Sequence, residues 1–284
     1  MFGSLRLGKF FGIDTYVHGT FWLLPLFVFV SGAAAGNPAG AAGDVLFLFA
    51  LFGCVALHEV GHALAARYYG VRTRDITLYP MGGVASLERM PEKPSQEIVI
   101  ALAGPAVNVV IAAGIFAGML AGVVAFPGWW DSSAVEPLDG FVVRLMAVNV
   151  GLVLFNLIPA FPMDGGRVLR AVLATGMSRL DATRAAVGVG SVLAVGGGLY
   201  GLYDHNYMLT FVAVVVFLLG HAELAAVRIE GARRRWRGSP DEYDDVVRVI
   251  EVRPHDSYSG WVWDARRQVW VEWRDGVAVR EVVP

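Results

Sequence analysis

Two histidines and a glutamate stand inside an otherwise apolar run, "FGCVALHEVGHALAARYYG", residues 52–70. His58 and His62 are four apart, so a helix places both imidazoles on one face, one turn apart and within reach of a single ion. Glu59 projects to the side of that pair. In zinc hydrolases of this HExxH type the offset lets the glutamate miss the metal and act as general base on the metal's water. Ionisable groups at membrane depth cost about 2.5–3.5 kcal/mol each on insertion scales. Three of them within five residues therefore favour a metal site over polar filler satisfied by neighbouring helices.

Two imidazoles do not complete such a site, because a catalytic zinc takes three protein ligands and keeps a further position open. The best third candidate is Asp164 in "FNLIPAFPMDGGRVLR", residues 155–170. Pro159 and Pro162 each remove a backbone donor and obstruct the preceding turn, so the helix opens here and can aim the aspartate inward. An ordinary interfacial helix end, with Asp164 solvated and Gly165 and Gly166 as cap residues, fits the same spacing. His221 and Glu223 in "LLGHAELAAVR" are two apart and face different directions near the inner end of a span. Cys54, one turn before His58, reads as a small packing residue, since a fourth protein ligand would close the position water needs. His18 has no partner at a suitable spacing and is read as structural.

These residues must be positioned by membrane helices. The chain has 284 residues, 56% of them hydrophobic and 17% charged, and a mean hydropathy of +0.54, outside the balance of a soluble domain. A spanning helix needs about 20 apolar residues, and six windows qualify: 17–35, 45–68, 97–125, 140–162, 185–203 and 207–228. Segments 36–44, 126–139 and 204–206 hold no Lys or Arg. Arg67, Arg72, Arg74, Arg89, Lys93, Arg167, Arg170, Arg179 and the "RRRWR" at 233–237 fall on the opposite side, which puts both termini in the cytoplasm. The first apolar run has no small-residue cleavage site after it and reads as a retained anchor. A net charge of −2 and the lack of a basic stripe interleaved with aromatics exclude nucleic acid as a partner. A single cysteine excludes an internal disulfide. The Gly-rich fifth span (Gly188, Gly190, Gly196, Gly197, Gly198, Gly201) suits close helix packing.

The expected fold is an all-α polytopic membrane protein of six transmembrane helices, with a short β-hairpin after helix 2 and a small C-terminal β-rich tail. Residues 1–229 form the membrane core and 230–284 a cytoplasmic tail holding five of the eight tryptophans. In "SGWVWDARRQVWVEWRDGVAVREVV" apolar and polar residues alternate around turn-like breaks, as in an antiparallel meander. The tail is short for a large core, so it packs on the membrane domain, on a second copy or on a regulatory partner.

Four stretches together resemble the site-2 protease family of intramembrane zinc metalloproteases, in its compact six-span bacterial and archaeal form. They are "HEVGH" at 58–62, "LYPMGGVASLERMPEKPSQE" from 78, "ALAGPAVNVVIA" at 101–112 and "FNLIPAFPMDGGRVLR" at 155–170, and the likeness covers roughly residues 5–228. The resemblance implies one Zn²⁺ per chain held by His58, His62 and Asp164, with Glu59 as catalytic base and acid, in a prokaryotic cell membrane. It implies that Asn156, eight residues before Asp164, hydrogen-bonds substrate or oxyanion, although an asparagine in a span also serves as helix glue. "TRDITLYPMGGVASLE" alternates like a hairpin broken by Gly82 and Gly83, and in similar proteases such a strand dips toward the site and pairs with extended substrate; a plain loop is the alternative. Gly104, Pro105 and Asn108 fit the family's third-span motif and are assigned packing. No PDZ-sized insertion interrupts the core and no pair of CBS-like repeats follows it. The implied function is hydrolysis of a peptide bond in or next to a transmembrane segment of a single-span membrane protein. Two other functions are compatible with the residues: a membrane HExxH protease of prenyl-protein type, completed by a glutamate such as Glu223, and a non-enzymatic metal-binding membrane protein.

Overall fold

The computed structural model describes residues 3–80, 82–88, 93–122, 137–237, 258–264 and 269–282. Arg89 and residues 126–136 of the expected loop lie outside them, as do the side chains of "RRRWR". The chain divides into two compact units, Met1–Ile229 and Glu230–Pro284.

The first unit opens with two strands that a 20-residue hydropathy sum does not detect. In β2 (Ile13–His18) the β-branched residues Ile13, Thr15 and Val17 alternate inward, a period-2 pattern. The strand pairs antiparallel with β1 (Ser4–Phe10) through a turn in which Phe11 and Gly12 take positive φ. A 3-10 turn at Gly19–Trp22 leads into α1 (Leu23–Ala34), only 12 residues long. The window expected at 17–35 as one helix is therefore shared among strand, turn and helix. These two strands add a β-element before the first helix to the hairpin expected after helix 2.

Pro38 in the first turn and the Asn37 side chain, accepting from the Gly40 amide at 2.9 Å, start α2 (Pro38–Tyr68). After it, β3 (Thr73–Tyr79) and β4 (Gly82–Leu87) pair antiparallel, and β3 pairs parallel with β2, giving the order β1-β2-β3-β4. One face of this sheet lies along α2. Ile13 and Ile76 pack with Val60 and Ala63, while Val17, Leu78 and Phe21 pack with Phe52. The strands thus flank the very turns of α2 that carry the histidines.

Next come α3 (Pro94–Leu120), α4 (Pro137–Asn156), the amphipathic α5 (Asp164–Leu173), α6 (Arg179–Tyr203) and α7 (Tyr207–Arg237). Gly61 lets α2 approach α3, since a Cβ there would stand 2.7 Å from the Ala103 carbonyl oxygen. Among the described residues four helices are long and apolar enough to cross a membrane: Pro38–Tyr68, Pro94–Leu120, Arg179–Tyr203 and Tyr207–Gly231. Shorter apolar helices cover Gly19–Ala34 and Gly140–Asn156. Their outward faces are apolar, as at Phe27, Val110, Val192 and Phe211, all well exposed, and lipid is the solvent that suits them.

The second unit contains a three-stranded antiparallel meander, β5 (Gly260–Asp264), β6 (Val269–Arg274) and β7 (Val277–Val282). Asp275 and Gly276, both at positive φ, make the tight turn between the last two strands. Val269 and Val271 are buried on one face. Trp261, Trp263 and Trp270 are exposed on the other, with Trp263 and Trp270 paired across strands at 5.4 Å between ring centroids.

Candidate metal centre

The α2 helix delivers His58 and His62 with their Nε2 atoms 3.0 Å apart. Asp164, the first residue of α5, brings Oδ2 to 3.2 Å from the first ring nitrogen and 3.1 Å from the second. All three residues are buried. Among the described residues they form the group able to hold a metal ion.

What precedes Asp164 explains how a helix start reaches this depth. The α4 helix stops at Asn156, and the chain turns through Pro159 and a cis Phe161–Pro162 bond before α5 begins. Gly165 and Gly166 have no room for side chains: a Cβ on Gly166 would stand 2.6 Å from the Ala160 carbonyl carbon, and one on Gly165 would run into the Leu157 and Ile158 carbonyls. These glycines allow the turn to fold back onto α5, so they act by close packing rather than as caps.

The outer nitrogens of both rings are engaged. His62 Nδ1 donates to the Ile100 carbonyl at 2.7 Å, and His58 Nδ1 lies 2.6 Å from Asn108 Oδ1. With Nδ1 as the donor of each neutral ring, each Nε2 carries a lone pair. Two such lone pairs and a carboxylate oxygen then face one another with no proton to share, an arrangement a cation relieves. A tetrahedral zinc with bonds of about 2.0–2.1 Å sets its ligand atoms about 3.3 Å apart, close to the spacing here. Two imidazoles and one carboxylate are also a donor set of the catalytic kind. Gly104 leaves the space, because a Cβ there would stand 2.7 Å from His58 Nε2 and nearer still to the His62 ring.

Glu59 lies beside this group and against the sheet, as a Cβ added to Gly83 would stand 2.6 Å from Glu59 Cγ. The structure thus brings Gly83 to Glu59, while the Cβ direction of Gly82, at φ +141°, is open. Asn156 donates its side-chain amide to the Leu152 carbonyl of its own helix at 2.9 Å. The rival candidates are engaged elsewhere: Glu223 on Arg170 Nη1 at 2.5 Å, His221 on the Phe217 carbonyl, Cys54 as acceptor from Asn149, and His18 on Thr20 and stacked on Tyr79.

Sequence reasoning missed two supports of the site. Asn108, assigned to packing, bonds a candidate ligand. Arg170, counted only as a cytoplasmic-side charge, is fully buried, bonded through Nε and Nη2 to Glu97 of α3, through Nη1 to Glu223 of α7, and set over the Phe161 ring at 5.0 Å. It ties α5, and with it Asp164, to two other helices. No local pattern marked it: around α5, Arg170 falls with Arg167 on the polar side, away from Val168, Leu169 and Val172, and it is α3 and α7 that cover it.

Residues 46–124 and 117–196 match peptidase family M50. In sequence the chain is similar to a zinc metalloprotease of Methanocaldococcus jannaschii, 37% identical over 229 residues, which cover 80% of this chain and 62% of that protein. The chain therefore spans less than two thirds of that relative's length. In structure it is similar to the site-2 protease from Methanocaldococcus jannaschii, with a TM-score of 0.57 and 34% identity over 78% of this chain and 95% of that one.

Proposed function

This chain belongs to peptidase family M50, and from that premise we propose that it is an integral membrane zinc metalloprotease, cutting a peptide bond in or beside a transmembrane segment of a single-span membrane protein. The convergence of three lone-pair-bearing atoms within 3.0–3.2 Å of one another, with Glu59 next to them, carries this reading. His58, His62 and Asp164 would hold one zinc ion per chain, which would supply a Lewis acid for the scissile carbonyl and lower the pKa of a water to about 7. Glu59 takes the proton from the attacking water on its carboxylate and passes it to the leaving amine. Asn156 has a second amide hydrogen beyond the one given to Leu152, and it serves the substrate carbonyl as charge develops there.

A helical substrate hides its carbonyls in internal hydrogen bonds and has to unwind to be cut. The β4 strand is the edge of its sheet, so its free backbone groups can pair with an extended segment and offset those lost bonds. Gly83 keeps that edge close to Glu59. Glu59 precedes Arg67 by eight residues, about 12 Å along a helix, which sets the chemistry below the cytoplasmic surface and releases product there.

The test is co-expression with tagged single-span proteins. Wild type yields a shortened cytoplasmic product, and Glu59→Gln retains its zinc but yields none. A product that persists undiminished in Glu59→Gln refutes the proteolytic reading.

A further inference from the structure

We propose that Asn149 and Asn108 form a relay that fixes the tautomer of His58 and so keeps its Nε2 free for the metal; the proposal rests on reading His58 as a ligand. The Leu145 carbonyl of α4 can only accept a hydrogen bond. It lies 2.8 Å from the Asn149 side chain, so the atom facing it is Nδ2, which also donates to Cys54 Sγ at 3.3 Å. Asn149 Oδ1 is therefore turned toward Asn108, 2.8 Å away, and only Asn108 Nδ2 can answer it. That leaves Asn108 Oδ1 against His58 Nδ1 at 2.6 Å, and the imidazole has to donate.

A backbone carbonyl on α4 thus decides, through one side chain on α4 and one on α3, which nitrogen of a ring on α2 carries the proton. Both asparagines are fully buried, so solvent is not at hand to substitute for a misdirected amide. His62 needs no relay, because the Ile100 carbonyl accepts from its Nδ1 directly. Neither asparagine is placed on the reacting atoms. They are positioning residues, in the way that groups behind a metal-bound histidine set its orientation and basicity.

The experiment uses full-length, metal-free protein labelled with ¹⁵N-histidine, with ring-nitrogen shifts read by solid-state NMR above the imidazole titration range, and zinc affinity measured by chelator competition. In wild type both His58 and His62 are single Nδ1–H tautomers. Asn108→Ala makes His58 a tautomer mixture, leaves His62 unchanged and weakens zinc binding about 10–100-fold. Asn108→Asp, which restores an acceptor, returns His58 to the single tautomer. Asn149→Leu, close in volume and sparing Asn108, shifts His58 in the same sense and weakens zinc by a smaller factor, and it carries the test where Asn108→Ala folds poorly. A single Nδ1–H tautomer at His58 with wild-type zinc affinity in either Asn108→Ala or Asn149→Leu overturns the relay. Should wild type bind no zinc, the metal-centre reading fails instead, while the tautomers of the metal-free variants still decide the relay.

Discussion

A methyl group on Gly104 would stand 2.7 Å from His58 Nε2, in the space an ion between the rings requires. Alanine favours a helix by about 1 kcal/mol over glycine, so Gly104→Ala keeps its helix and yet loses zinc, from about one per chain to nearly none by elemental analysis of purified protein. Retention of stoichiometric zinc in that variant would deny that the ion sits between these rings. Gly83→Ala makes a different prediction. Its methyl group displaces the Glu59 carboxylate, so zinc stays bound while the cleavage rate falls on the order of 10²-fold, the scale set by an ångström of misplacement. His58, Glu59 and His62 were legible because a helix turns their sequence spacing into geometry. Gly104 and Asn108 were not, because a glycine or a buried amide in a span has the same sequence appearance whether it packs a neighbouring helix or makes room for a ligand.

At the scale of elements, the site depends on α5 being held where its first residue meets α2. Arg170 does this by pairing with Glu97 and Glu223. Removing one partner of a buried ion pair costs about 3–5 kcal/mol, since the other charge remains desolvated. Arg170→Met should therefore lower stability by about that much in reversible unfolding from micelles, and weaken zinc as well by loosening Asp164. Stability and zinc affinity both equal to wild type would show that α5 is held otherwise. The break before α5 was readable from Pro159 and Pro162, whose effect on a helix is local. The Arg170–Glu97 pair joins residues 73 apart, and nothing local announces it. The same holds for β2, whose inward alternation at Ile13, Thr15 and Val17 gains meaning only from a parallel partner, β3, supplied some sixty residues later.

Over the whole molecule, the lysines and arginines outside the spans predict that both termini face the cytoplasm. A reporter phosphatase fused after residue 284 should be inactive and a fluorescent protein fused there bright; the reverse pattern would turn the protein over and move its product to the other side. Every residue of the candidate site belongs to the first compact unit, so removal of residues 238–284 should leave zinc stoichiometry at one per chain. The tail's meander was legible because its alternation and its Asp-Gly turn are local. The division of the first apolar window between strand and helix was not, because average hydropathy ignores period. The proposed zinc site joins a carboxylate at the start of α5 to two imidazoles of α2, and the decisive measurement is zinc K-edge absorption with metal quantification on purified wild type and Asp164→Ala. Wild type should hold one zinc per chain with two imidazole nitrogens and oxygen in its shell, and Asp164→Ala should lose most of that zinc. An unchanged spectrum and stoichiometry in Asp164→Ala would rule out Asp164 as a ligand.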